Sequence, residues 1–121
     1  MARMLVVDDE REIVRILADF LGGRGHAVAE AHSGAEALAL ARRRKFDAVL
    51  LDILMPGMDG NETLRRLLAL DPRAVVIMIS GTTDETAAEE SLTLGAYDYI
   101  RKPFDFGHLE AVLATGLAMR A

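Results

Sequence analysis

Three short runs of unbroken apolar residues constrain this chain more than anything else in it. Met4-Leu5-Val6-Val7, Ala48-Val49-Leu50-Leu51 and Val75-Val76-Ile77-Met78-Ile79 contain no polar residue. A strand with one wet face alternates. A run that is apolar throughout has both faces covered, as in a parallel sheet wrapped by helices. Helical spacing fills the intervals. Ile13, Val14, Leu17, Phe20 and Leu21 share a stripe ahead of Gly22-Gly23, expected to stop the helix. Ser33 and Glu36 form a capping box that opens an alanine-rich helix to about Arg44. Asp59 and Glu62 begin a third helix carrying Leu64, Leu67 and Leu68, which Asp71-Pro72 ends. Thr82 and Glu85 can cap a fourth, closed by Gly95, and a fifth starts near Asp105 with Leu109, Val112, Leu113 and Leu117 as its stripe. His26 to Ala31 and Tyr97 to Ile100 alternate instead, as half-exposed edge strands do.

Five strands alternating with five helices require a parallel sheet, since each helix returns the chain in a right-handed crossover. With the continuously apolar strands central and the alternating ones at the edges, the expected order is 2-1-3-4-5. That is an α/β, doubly wound (βα)5 fold of flavodoxin-like type, forming one domain over residues 1–121. The formal net charge of −5 argues against a large nucleic-acid footprint. The one basic cluster, Arg42-Arg43-Arg44-Lys45, falls at a helix end, where cations offset the dipole. There is no cysteine, so disulfides, thiolate metal sites and a cysteine nucleophile are excluded. No stretch approaches membrane-spanning length or resembles a secretion signal, so a cytoplasmic location is expected.

Ligands of open α/β sheets bind at the carboxyl ends of the strands beside the switch in strand order, here between the first and third strands. Asp8, Asp9 and Asp52 fall there. Taken alone, Asp52 reads as a turn former at the mouth of its strand. Three converging carboxylates, however, repel one another, and a hard divalent cation such as Mg2+ is the usual remedy. Ser80 ends the fourth strand and Lys102 the fifth. A cation, a lysine and a hydroxyl around an aspartate suit a phosphoryl group, with Asp52 as nucleophile and an aspartyl phosphate as product. Separately, an Asp-Asp pair is an ordinary turn, a strand-end Ser is commonplace, and Lys-Pro is an ordinary loop. The signal lies in their convergence on one sheet edge.

On these residues the chain resembles the receiver domain of two-component response regulators, which has the CheY-like fold. The resemblance is carried by Val7-Asp8-Asp9-Glu10, Leu51 through Gly60, Ile79-Ser80-Gly81 and Gly95 through Phe104, in the family's order and spacing. It implies that Asp52 accepts a phosphoryl group from a sensor histidine kinase or histidine phosphotransfer protein. It implies Mg2+ held by Asp9, Asp52 and the Leu54 backbone carbonyl, with Asp8 acting largely through water. It implies a cis peptide before Pro103, and a switch in which Ser80 moves toward the phosphoryl group and Tyr99 turns inward. It implies, further, a downstream effector or linked output domain, and a phosphorylation-dependent homodimer through the fourth helix, fifth strand and fifth helix. This domain is expected to touch neither nucleic acid nor membrane, and to act as a switch rather than a turnover enzyme.

The fourth helix, with Leu92 and Leu94 as its only large apolar residues, is expected to move. Leu54 and Thr82 stand two residues beyond Asp52 and Ser80, where neither offers an acid or amide to orient water, so slow self-hydrolysis is expected. Leu54 also disfavours a haloacid-dehalogenase-type phosphatase, which wants a second acid at that position. Asp8-Asp9-Glu10 disfavours a flavin module, whose phosphate loop would be repelled there. His26, His32 and His108 are scattered too widely to suggest a metal cluster.

Overall fold

A computed structural model describes residues 1–81 and 85–120. Strands and helices alternate in the expected way: β1 Arg3–Val7, α1 Arg11–Gly23, β2 Ala27–Ala31, α2 Gly34–Arg43, β3 Ala48–Asp52, α3 Gly60–Leu70, β4 Val75–Ser80, α4 Glu85–Thr93, β5 Asp98–Arg101 and α5 Phe106–Arg120. The sheet is parallel throughout in the order 2-1-3-4-5, which is the CheY-like arrangement. Every residue of β3 and β4 is buried, whereas β2 buries only Ala31 and β5 only Ile100. Continuous and alternating runs therefore mark central and edge strands as their hydropathy requires.

Alternate strand residues feed two cores. Leu5, Val7, Val49, Leu51, Val76 and Met78 face α2, α3 and α4. Met4, Val6, Leu50, Ile77 and Ile79 face α1 and α5, meeting Val14, Leu17, Leu109 and Leu113. Ser33 Oγ accepts the Glu36 N–H at 3.1 Å, and Asp59 Oδ1 accepts the Glu62 N–H at 2.9 Å, so both sequence-read caps form. Thr82 lies outside the described residues.

Several boundaries differ from the sequence reading: β5 runs from Asp98 to Arg101, so that Tyr97 precedes it and Lys102 follows it, and two more differences lie at the α1–β2 turn. Helix α1 runs through Gly22 and Gly23, and the left-handed residue is Gly25, with φ of +88°. The N–H groups of Arg24 and Gly25 turn back onto the Leu21 and Gly22 carbonyls, so the reversal completes two residues later than the glycine pair suggests. His26 belongs to that turn rather than to β2. Its N–H donates to the Leu21 carbonyl and its Nδ1 accepts the Ala2 N–H at 3.1 Å.

The turn that follows β3 positions the site. Gly60 sits so close to the strand end that a Cβ there would lie 2.2 Å from the Asp52 carbonyl oxygen, and its N–H donates to Ile53 O at 2.8 Å. Only glycine allows α3 to begin this near the strand.

Candidate functional site

Asp8 lies just beyond β1, Asp52 is the last residue of β3, and Ser80 is the last of β4. All three are buried, with 1%, 4% and 3% of their surface exposed. Asp52 therefore differs from the expectation of a carboxylate at the mouth. Its backbone is still in register with Ile79, and the next N–H, that of Ile53, donates to Ile79 O at 3.1 Å. The sheet thus extends around this residue, and the side chain forms the floor of the site. Asp9 is exposed above it. Asp8, Asp9 and Asp52 each bring a carboxylate oxygen to within 4.8 Å of the others.

Lys102 reaches this cluster from beyond β5. Its backbone N–H donates to Ser80 O at 2.7 Å, which fixes the strand end. Its Nζ lies 2.8 Å from Asp8 Oδ2, 3.3 Å from Glu10 Oε1 and 3.7 Å from Asp52 Oδ1. The Lys102–Pro103 peptide is cis, as the resemblance implied.

Burial, reinforced by the Asp8 charge, pushes the Asp52 carboxyl up to about 7, while Lys102 pulls it the other way. Burial works against the Lys102 ammonium, but its hydrogen bond to Asp8 and the Asp52 and Asp8 charges outweigh that and raise its pKa. One ammonium thus stands among four carboxyl groups, and the cluster is under-neutralised. A set of clustered carboxylate oxygens of this kind fits a hard divalent cation.

Glu10 is the residue that sequence reasoning missed. It adjoins Asp8-Asp9 in the motif that carries the resemblance, but no role is assigned to it there, and it is the N-cap of α1 without a side-chain cap bond. Its partnership with Lys102 spans 92 positions of sequence and emerges only in the fold.

Leu54 is 61% exposed and its side chain is apolar, so only its backbone could serve the site. Tyr99 is not gathered into the cluster. Its ring packs at the border of the core beneath α2, α3 and α4, and its hydroxyl lies 3.5 Å from Glu85 Oε2 at the start of α4. Glu85 also pairs with Arg101, so β5 and α4 are joined at the surface.

The profile of the response regulator receiver domain family matches residues 4–114. The transcriptional regulatory protein ZraR of Escherichia coli strain K12 is 43% identical over 115 residues, 95% of this chain and 26% of that protein. The chain thus spans about a quarter of the length of such curated relatives. A CheY-like receiver domain protein from Methanospirillum hungatei superimposes with a TM-score of 0.95 at 31% identity, covering 99% of this chain and 96% of that one. A response regulator protein from Burkholderia pseudomallei, crystallised with a phosphorylated aspartic acid, calcium ion and citrate, superimposes with a TM-score of 0.89 at 30% identity over 98% of this chain and 70% of that one. The match takes in all five strands except Arg3 at the start of β1, and ends within α5, and the chain belongs to the receiver domain family of two-component response regulators.

Proposed function

We propose that Asp52 is the phosphoacceptor of this receiver domain, and that its donor is a sensor histidine kinase or a histidine phosphotransfer protein. The observation that carries the reading is the gathering of Asp8, Asp9 and Asp52 within 4.8 Å, with Lys102 bonded among them at the sheet edge. The related protein from Burkholderia pseudomallei, with its phosphorylated aspartic acid and calcium ion, supports it. Asp8, Asp9, Asp52 and the Leu54 carbonyl would hold Mg2+, with Asp8 acting largely through water. When bound there, the ion would supply positive charge to the carboxylates and to the phosphoryl oxygens.

One oxygen of Asp52 attacks phosphorus. The O–P bond forms as the N–P bond of the phosphohistidine breaks, and the imidazole nitrogen leaves with the electron pair and takes a proton from solvent. Lys102, 3.7 Å from Asp52 Oδ1, exchanges its Asp8 and Glu10 contacts for a phosphoryl oxygen, and the Ser80 hydroxyl donates to another. Tyr99 then leaves Glu85 and rotates toward the space that Ser80 vacates. The product is stored rather than turned over, because Leu54 brings no acid or amide to activate water. Leu54→Asn is expected to shorten the lifetime of the phosphorylated state, and an unchanged rate of phosphate loss would refute this.

Residues 1–121 act as one receiver domain. It passes the signal through the surface of α4, β5 and α5, either to an effector or linked output domain or to a second copy of itself. Relatives about four times as long that are transcriptional regulators favour a linked output. The deciding experiment is incubation with acetyl phosphate and Mg2+, followed by intact mass and size-exclusion chromatography. Wild type should gain the mass of one phosphoryl group and Asp52→Asn none. Equal labelling of the two proteins would overturn the assignment.

A further inference from the structure

At the opposite end of the sheet from the acids, the last turns of α2 and α3 enclose a cleft of about 370 Å3. Its floor is apolar: Phe46, Val49 and Leu67 are buried beneath it, and Leu70, 44% exposed, forms one side. Its other side is Arg42-Arg43-Arg44-Lys45, all four exposed. Among the described residues, no carboxylate lies within ion-pairing distance of any of these four. Asp71 itself lines the cleft and Asp47 adjoins it, and each accepts from a backbone N–H. Asp47 Oδ2 accepts the Arg3 N–H at 2.8 Å, and Asp71 Oδ1 accepts the Arg73 N–H at 3.1 Å.

Compensation of the α2 dipole does not account for this arrangement. Helices α1, α3 and α4 end with no cation in the last turn, so the fold does not require one. Arg44 and Lys45, moreover, lie beyond the end of α2. Four consecutive like charges beside an exposed apolar cleft are instead complementary to something that is both anionic and apolar. A space of this volume accepts one or two large apolar side chains. A small molecule filling it would carry too few charges to meet four cations, whereas an extended chain can lay several carboxylates along them. A nucleic-acid duplex would find nothing to stack on or read in an aliphatic floor, and would be repelled by the net charge of −5.

The geometry points to a docking site for an acidic peptide segment of a partner protein. One or two of its large apolar side chains insert between α2 and α3, and its carboxylates lie against Arg42–Lys45. The site is remote from Asp52 and does not depend on phosphoryl chemistry.

The test is selection of short random displayed peptides on the immobilised chain, followed by fluorescence anisotropy of the enriched sequences at low and high salt. Enriched peptides should be acidic with at least one large apolar residue. Leu70→Asp should weaken them about tenfold or more, as loss of an anchor contact does. Reversing Arg43 and Lys45 to glutamate should weaken them comparably and remove most of the salt dependence. All three positions are exposed, and thermal melts of the variants should match the parent. No enrichment, or enriched peptides indifferent to both variants, overturns the proposal. So does preferential binding at this cleft of a fluorescent DNA duplex or of dodecanoate.

Discussion

Helices α3 and α4 lie side by side on one face of the sheet, but very different amounts of apolar surface hold them there. Helix α3 buries Thr63, Leu64 and Leu67, and it is locked to the end of β3 by the close approach of Gly60. Helix α4 buries only Ala88 and Ser91, and Leu92 is 40% exposed. Ala87 and, just past the helix, Leu94 add partly buried apolar contact, and the other ties are polar. Asn61 Nδ2 donates to the Ala87 carbonyl at 3.3 Å, while Asn61 Oδ1 is buried with no partner among the described residues, and Glu85 reaches Arg101 and Tyr99 at the surface. Exposed pairs of this kind contribute little to stability. The helix that follows β3 is thus fixed, and the helix beside Ser80 and Tyr99 is loosely anchored. A site that must hold an aspartate still while a neighbouring surface changes needs this asymmetry.

The largest expected effect tests the asymmetry through packing. Leu64→Ala should destabilise the fold by about 2–5 kcal/mol in urea denaturation, because a fully buried leucine leaves a cavity as well as losing its transfer free energy. Leu92→Ala should cost less than about 1 kcal/mol, since two-fifths of that side chain already faces water. Similar losses from the two substitutions would end the contrast.

The next effect concerns the acid that the fixed side holds. Burial and Asp8 oppose ionisation of Asp52, so the folded state without a divalent cation is penalised for carrying that charge. In EDTA at pH 8, Asp52→Asn should therefore raise stability by roughly 1–3 kcal/mol. Adding Mg2+ should stabilise wild type more than the variant and narrow the gap. A variant less stable than wild type in EDTA would mean that Lys102 more than offsets the crowding of carboxylates.

Hydrogen exchange reads the asymmetry directly. Amides of α4 should exchange at least about tenfold faster than those of α3, equivalent to about 1.4 kcal/mol in opening free energy. With a beryllofluoride mimic of the phosphoryl group, the change in protection should concentrate in α4 and β5. Equal protection in the two helices, or identical protection of α4 with and without the mimic, would remove the basis for the switching role proposed for it.

Much of this architecture was legible before the fold was known, because it follows from which strands are wet. Unbroken apolar runs at Met4, Ala48 and Val75 and alternation at His26 and Tyr97 determine the strand order once crossovers must be right-handed. The Ser33 and Asp59 caps were legible for an equally local reason, as were the acids at the strand ends. What escaped depends on distances along the chain or on depth. The burial of Asp52 comes from β4 pairing alongside it, which no run of residues around position 52 encodes. The grip of Glu10 on Lys102 joins the two ends of the domain. The contact of Tyr99 with Glu85 depends on where α4 settles, and little apolar surface determines that.

The smallest effect lies in the first turn of α3 and separates surface charge from core packing as the source of that helix's rigidity. Glu62 accepts a hydrogen bond from Arg66 at 2.8 Å and a longer one from Arg65 at 3.5 Å. The Arg66 hydrogen bond in particular holds its carboxyl below the ordinary value of 4.5, against the opposing effect of desolvation and with help from the Arg66 and Arg65 charges. Because the folded pKa lies below the unfolded one, the contribution is present in full above the unfolded value and is lost as pH falls through the folded one. Thermal melts of wild type and Glu62→Gln should therefore differ slightly at neutral pH, with wild type the more stable, and converge in the acid range below 4.5. The difference should also shrink in high salt, since the pair faces solvent. A large difference, or one that persists unchanged at low pH, would mean that α3 owes its rigidity to this surface pair and not to Leu64 and Leu67 beneath it.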